Sequence, residues 1–63
     1  MAVNRIKFFR KKAGMSQRQL ADKIGTSCDR VSVWETGKHD PTLFMALCIA
    51  KALNATVEEL FSP

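Results

Sequence analysis

Cysteine is scarce in this chain, which holds only Cys28 and Cys48. Two thiols cannot frame a disulfide-stapled miniprotein, and with one distant histidine, His39, they cannot supply four closely spaced zinc ligands. No metal and no cofactor are therefore expected, and reduced thiols of a cytoplasmic protein fit best. Long apolar runs are missing as well. None approaches the roughly 20 residues that a membrane span needs, and the amino end lacks the apolar stretch of a signal peptide. Glycine and proline number only three and two, whereas alanine, leucine and lysine are common, which favours helices over the turn-dense pattern of a small β-barrel. Length is short too. Sixty-three residues hold one small core and no second domain, so a catalytic cleft between layers is not expected.

What remains is a chain that should fold, because 46% of its residues are hydrophobic and 25% charged, an ordinary globular balance. The fold class expected is all-α. The formal charge of +4 is unevenly placed. Residues 1–12 carry Arg5, Lys7, Arg10, Lys11 and Lys12 without an acid, residues 13–40 balance four bases against four acids, and residues 41–63 hold Lys51 against Glu58 and Glu59. Such an end suits a polyanion, nucleic acid or an acidic membrane, and equally a solvated helix face.

Helix start and stop signals divide the chain into five short segments. The first runs from about Val3 to Ala13, with Ile6 and Phe9 on one face, and Gly14 ends it. Ser16 followed by Gln19 makes a capping box, stapled by Met15 and Leu20, so a second helix starts at Gln17. It carries Leu20, Ala21 and Ile24 on one side and stops at Gly25. Thr26 or Ser27 caps a third helix, whose apolar side is Val31 and Trp34 and which Gly37 terminates. Asp40-Pro41-Thr42 opens a fourth, with Leu43, Ala46, Leu47, Ala50 and Leu53 at core spacing. Asn54 suits a left-handed end, and Thr56 with Glu59, stapled by Ala55 and Leu60, starts a last short helix ending at Phe61. Two short helices joined by the Gly25 turn must cross steeply, and Gln17 to Thr36 meets the demands of a helix-turn-helix.

Nearly the whole chain resembles the Cro/CI-type, XRE-like helix-turn-helix domain. The matching pieces are Asn4-Arg5-Ile6-Lys7, Ser16-Gln17, Leu20-Ala21, Ile24-Gly25, Val31-Ser32-Val33-Trp34-Glu35, Gly37-Lys38, Pro41-Thr42-Leu43, Ile49-Ala50-Lys51-Ala52-Leu53 and Glu58-Glu59-Leu60-Phe61. The resemblance implies one compact five-helix, lambda-repressor-like domain over residues 1–63. Its helix 3, about residues 28–35, would enter the major groove of double-stranded DNA, usually as part of a dimer. The family's base-reading positions fall on Cys28, Asp29, Ser32 and Val33. There Asp29 can accept from cytosine N4, Val33 can touch a thymine methyl and Ser32 can bond to either kind of edge. Its phosphate-contacting positions fall on Gln17, Ser27, Thr36 and Lys38, joined by Arg10, which in relatives pairs internally with Glu35 and could be oriented toward the DNA backbone. Phe8, Phe44, Met45 and Cys48 stand where relatives tend to be polar. With Leu43 and Leu47 assigned to the core, Phe44 and Cys48 form a second apolar strip. Together with Val57 and Phe61 it is the expected contact of a weak homodimer, unless Phe44 folds down beside helix five.

No catalytic constellation and no small-molecule site emerges. His39 reads as a solvated loop residue and Trp34 as core. The expected function is a sequence-specific DNA-binding transcriptional regulator acting as a repressor. A protein-interaction module of the same fold, antitoxin-like or binding another regulator through the Phe44 strip, is the alternative. A membrane binder using Phe8, Phe9 and the amino-terminal lysines is weakest, because the core needs Phe9.

Overall fold

The computed structural model describes residues 4–61. They form five α-helices, α1 (Ile6–Lys12), α2 (Gln17–Ile24), α3 (Cys28–Thr36), α4 (Leu43–Ala52) and α5 (Val57–Phe61). Helix α1 begins at Ile6, later than the Val3 expected from sequence; Val3 itself lies outside the described residues. The local signals explain the other boundaries. At Ser16 both halves of the capping box are made, the hydroxyl accepting from the Gln19 N–H at 3.0 Å and the Gln19 carboxamide from the Ser16 N–H at 2.8 Å. Thr56 and Glu59 repeat the arrangement at 3.0 and 2.9 Å. Ser27, not Thr26, caps α3 by accepting from the Arg30 N–H, and Thr42 caps α4 by accepting from the Met45 N–H. These bonds satisfy donors that the first turn of a helix leaves without intrahelical partners.

Gly25 ends α2 in the left-handed region at φ 75, and Asn54 follows α4 at φ 54. A side chain at Gly25 would meet nothing within 4 Å, so Gly25→Ala should be opposed by backbone strain alone. We expect a loss of about 1–2 kcal/mol, read as a lower urea midpoint with an unchanged slope.

Ile6, Leu20, Ala21, Val31, Trp34, Ile49, Ala50, Leu53 and Leu60 form the core. Helix α2 packs against both α3 and α4, while α1 leans on α3 and α5 on α4. The chief departure from the sequence reading is the roll of α4. Ala46, Ile49, Ala50 and Leu53 are buried, whereas Leu43 is 73% and Leu47 53% exposed. Both stripes satisfy helical spacing, because Leu43–Ala52 is apolar almost all round and Lys51 is its one charged residue. What selects between them is the fit against α2 and α5. No helix among the described residues is long and apolar enough to cross a membrane.

Candidate nucleic-acid interface

Helix α3 has two sides. Val31 and Trp34 are 0% and 6% exposed, and a period of 3.6 turns Asp29, Ser32, Val33 and Thr36 away from them. Asp29 and Thr36 are exposed, while Ser32 and Val33 are half-buried. Cys28, in the first turn, is also half-buried and its Sγ lies 3.9 Å from the Gln17 Oε1. Beyond α3, Lys38, His39 and Asp40 are exposed on the corner leading to α4. Gly37 makes that corner in the left-handed region at φ 78. The Thr36 hydroxyl donates to the Val33 carbonyl at 2.9 Å, so its proton serves the helix's own last turn.

The two helices of the motif are tied by a buried polar network. Arg10 donates from Nε to the Glu35 Oε2 at 2.6 Å and from Nη2 to Oε1 at 3.2 Å, and from Nη1 to the Met15 carbonyl at 2.7 Å. Gln17 Nε2 donates to the same Glu35 Oε1 at 3.0 Å. The Arg10 and Glu35 side chains are only 8% and 4% exposed. Every buried side-chain nitrogen and oxygen among the described residues has a partner, as charges in a low-dielectric interior require.

This placement sorts the residues expected to touch phosphate. Lys38 and Ser27 are exposed, and Ser27 already caps α3. Gln17 is half-buried at the start of α2, its carboxamide nitrogen held by Glu35. Arg10 differs from the others. At 7% exposed and with its guanidinium bonded inward, it braces α1 against α3 and the Met15 turn instead of reaching toward a DNA backbone. The Arg10–Glu35 pair is as expected, whereas the sequence offered no sign that Gln17 and the Met15 carbonyl would join it.

Charge near α1 is similarly divided. Arg5, Lys7, Lys11 and Lys12 are exposed; Lys11 and Lys12 occupy the last turn, where cations suit the helix dipole. Phe8, 60% exposed, rests edge-on against Phe9 with ring centroids 5.1 Å apart.

The apolar residues expected to make a dimer contact separate into two groups. Phe44 is 72% exposed and does not fold down beside α5. Cys48 is half-buried and borders a shallow hollow with Lys23, Ile24 and Lys51. Val57 and Phe61, by contrast, pack against the core cluster, because the short α5 must use them to hold Leu60 inside. Their place on the strip is taken by Leu43 and Leu47.

Comparison with known proteins gives this geometry a family. The Helix-turn-helix family matches residues 6–60. An uncharacterized HTH-type transcriptional regulator of Archaeoglobus fulgidus is 44% identical over 57 residues, covering 90% of this chain and 81% of that protein. Among solved structures, a candidate DNA-binding protein from Bacteroides fragilis superposes with a TM-score of 0.86 at 33% identity, over 95% of this chain and 97% of that one. SinR, the master regulator for biofilm formation, solved in complex with DNA, superposes with a TM-score of 0.79 at 29% identity, over 86% and 87% of the two chains. The chain belongs to the XRE-like helix-turn-helix family of DNA-binding transcriptional regulators, which are not enzymes.

Proposed function

We propose that residues 1–63 act as one sequence-specific DNA-binding domain of a cytoplasmic repressor, reading its operator with α3 in the major groove. The observation that carries this reading is the two-sided α3, anchored on Val31, Trp34 and Glu35 while Asp29, Ser32 and Val33 face outward. In this reading Asp29 accepts from a cytosine N4, Val33 contacts a thymine methyl, and Ser32 bonds to a neighbouring base edge. Cys28 adds a short, weakly polar contact at the same end. Lys38, Ser27 and Gln17 take phosphates, the last two at the amino ends of α3 and α2, where free helix-terminal N–H groups are suited. Repression follows from occupancy, which needs nothing beyond the bound DNA face.

Selection of sites from random duplex DNA tests this directly. A consensus that changes with Asp29→Ala and with Ser32→Ala is expected; one consensus for all three proteins would refute recognition by α3. Lys38→Ala should weaken binding to every sequence alike and lower the slope of log affinity against log salt by about 0.9, the loss of one neutralised phosphate. An effect confined to one base pair would contradict the phosphate role.

A single short helix reads only a few base pairs, so operator recognition calls for two copies on a two-fold site. We assign their contact to the exposed side of α4, Leu43, Phe44 and Leu47 with Cys48 at its margin. The same three exposed apolar side chains are what favours the second reading, a module that docks on another protein. Failure of the selection to return any consensus, with the fold intact, would favour it.

A further inference from the structure

The segment before α1 crosses the molecule between the ends of two helices. The Arg5 N–H donates to the Leu60 carbonyl at 2.7 Å, joining the segment to α5. One residue earlier, Asn4 Nδ2 donates to the Trp34 carbonyl at 2.7 Å, and its Oδ1 accepts from the Ile6 N–H at 3.3 Å. The Trp34 carbonyl also accepts the Gly37 N–H at 3.1 Å, the bond that closes the left-handed corner after α3. Asn4 therefore grips the backbone of α3 at its last turn. Arg10, six residues on, grips the side chain of Glu35, the very next residue of α3.

Both holds fall on the last turn of α3, and the Asn4 bond, running to a residue 30 positions away, shares the Trp34 carbonyl with the Gly37 N–H that closes the corner carrying Lys38. We propose that Asn4 is a positioning residue for DNA binding: it touches no DNA, and sets where the carboxyl end of α3 and the Lys38 corner stand relative to the DNA face. This inference rests on α3 being the DNA-reading helix.

Two substitutions separate this role from simple capping of α1. Asn4→Ala removes both bonds. Asn4→Ser keeps a neutral oxygen that can accept the Ile6 N–H and is too short to reach the Trp34 carbonyl. Binding of each 63-residue variant to a duplex oligonucleotide would be followed by fluorescence anisotropy across a salt series, beside backbone amide spectra of the free proteins. Both variants are expected to bind all duplexes about fivefold more weakly, the size of one net hydrogen bond, with the wild-type salt slope. The amides of Thr36, Gly37 and Lys38 should shift in both. Wild-type affinity for Asn4→Ser would reduce Asn4 to a cap of α1, and a lowered salt slope would make it part of a phosphate contact; either overturns the proposal. Should the wild type bind no duplex, the DNA-reading role of α3 fails on its own, and unshifted amides at residues 36–38 then overturn the positioning of the corner independently.

Discussion

Glu35→Ala is expected to destabilise the domain by about 3–5 kcal/mol, the range for removing one partner of a buried ion pair. Three donors converge on the Glu35 carboxylate, two from Arg10 and one from Gln17. Without it, a guanidinium only 8% exposed keeps the Met15 carbonyl as its one remaining partner. A chain of this length holds roughly 3–9 kcal/mol of total stability, so the variant should be largely unfolded or close to it. Arg10→Met should be similarly harmful, since it leaves the carboxylate buried with only Gln17. The double variant Arg10→Met, Glu35→Ala should lose much less than the two single variants summed, because no charge then stays buried. Urea denaturation of the four proteins closes the cycle, and a coupling near zero would show that the pair is not the brace between α1 and α3.

Phe44→Glu is expected to abolish self-association and, with it, cooperative binding to a two-fold operator. Leu43, Phe44 and Leu47 are 73%, 72% and 53% exposed, and together present on the order of 400 Å² of apolar surface. That is about half of the ~800 Å² per partner in a standard interface, so the dimer should be weak in solution and strengthened by DNA. A carboxylate placed at its centre, faced by its own copy, adds repulsion to the lost burial. Because Phe44 is largely exposed already, helicity and the urea midpoint should change little. Sedimentation should show wild type in concentration-dependent exchange and the variant as monomer, and the apparent affinity for a two-fold site should fall at least about tenfold while half-site binding persists. A wild type that is monomeric and protects a single half-site would end the dimer model and leave the α4 strip to another partner.

The helix boundaries were legible because the interactions that make them are local. A cap joins residues three apart, as at Ser16 and Gln19 or Thr56 and Glu59, and a left-handed stop is a property of one residue, as at Gly25, Gly37 and Asn54. Those signals, with the spacing of Leu20, Ile24, Val31 and Trp34, suffice to place a helix-turn-helix at α2 and α3. They also put Asp29, Ser32 and Val33 on its outer side, since the helical period alone decides which residues oppose Val31 and Trp34.

The roll of α4 was not legible, because Leu-Phe-Met-Ala-Leu-Cys-Ile-Ala offers two stripes of equal spacing and no polar residue to choose between them. Only contact with α2 and α5 breaks that tie, burying Ile49 and leaving Leu43 and Leu47 in solvent. Polar bonds that join separate elements and turns divide in the same way. Arg10 and Glu35 carry opposite charges and could be paired from sequence by resemblance. Gln17 to Glu35, Arg10 to the Met15 carbonyl and Asn4 to the Trp34 carbonyl have no such mark, for a carboxamide or a carbonyl finds its partner only where folding has removed water from both. By itself, then, the sequence determined the five helices, the ends that a cap or a left-handed residue marks, and the outward side of α3, all set within a few residues along the chain; the start of α1, which has no side-chain cap, was not among them. The tertiary structure alone decided which face of α4 is free and which residues hold α3 in place, because both depend on what distant segments exclude from solvent.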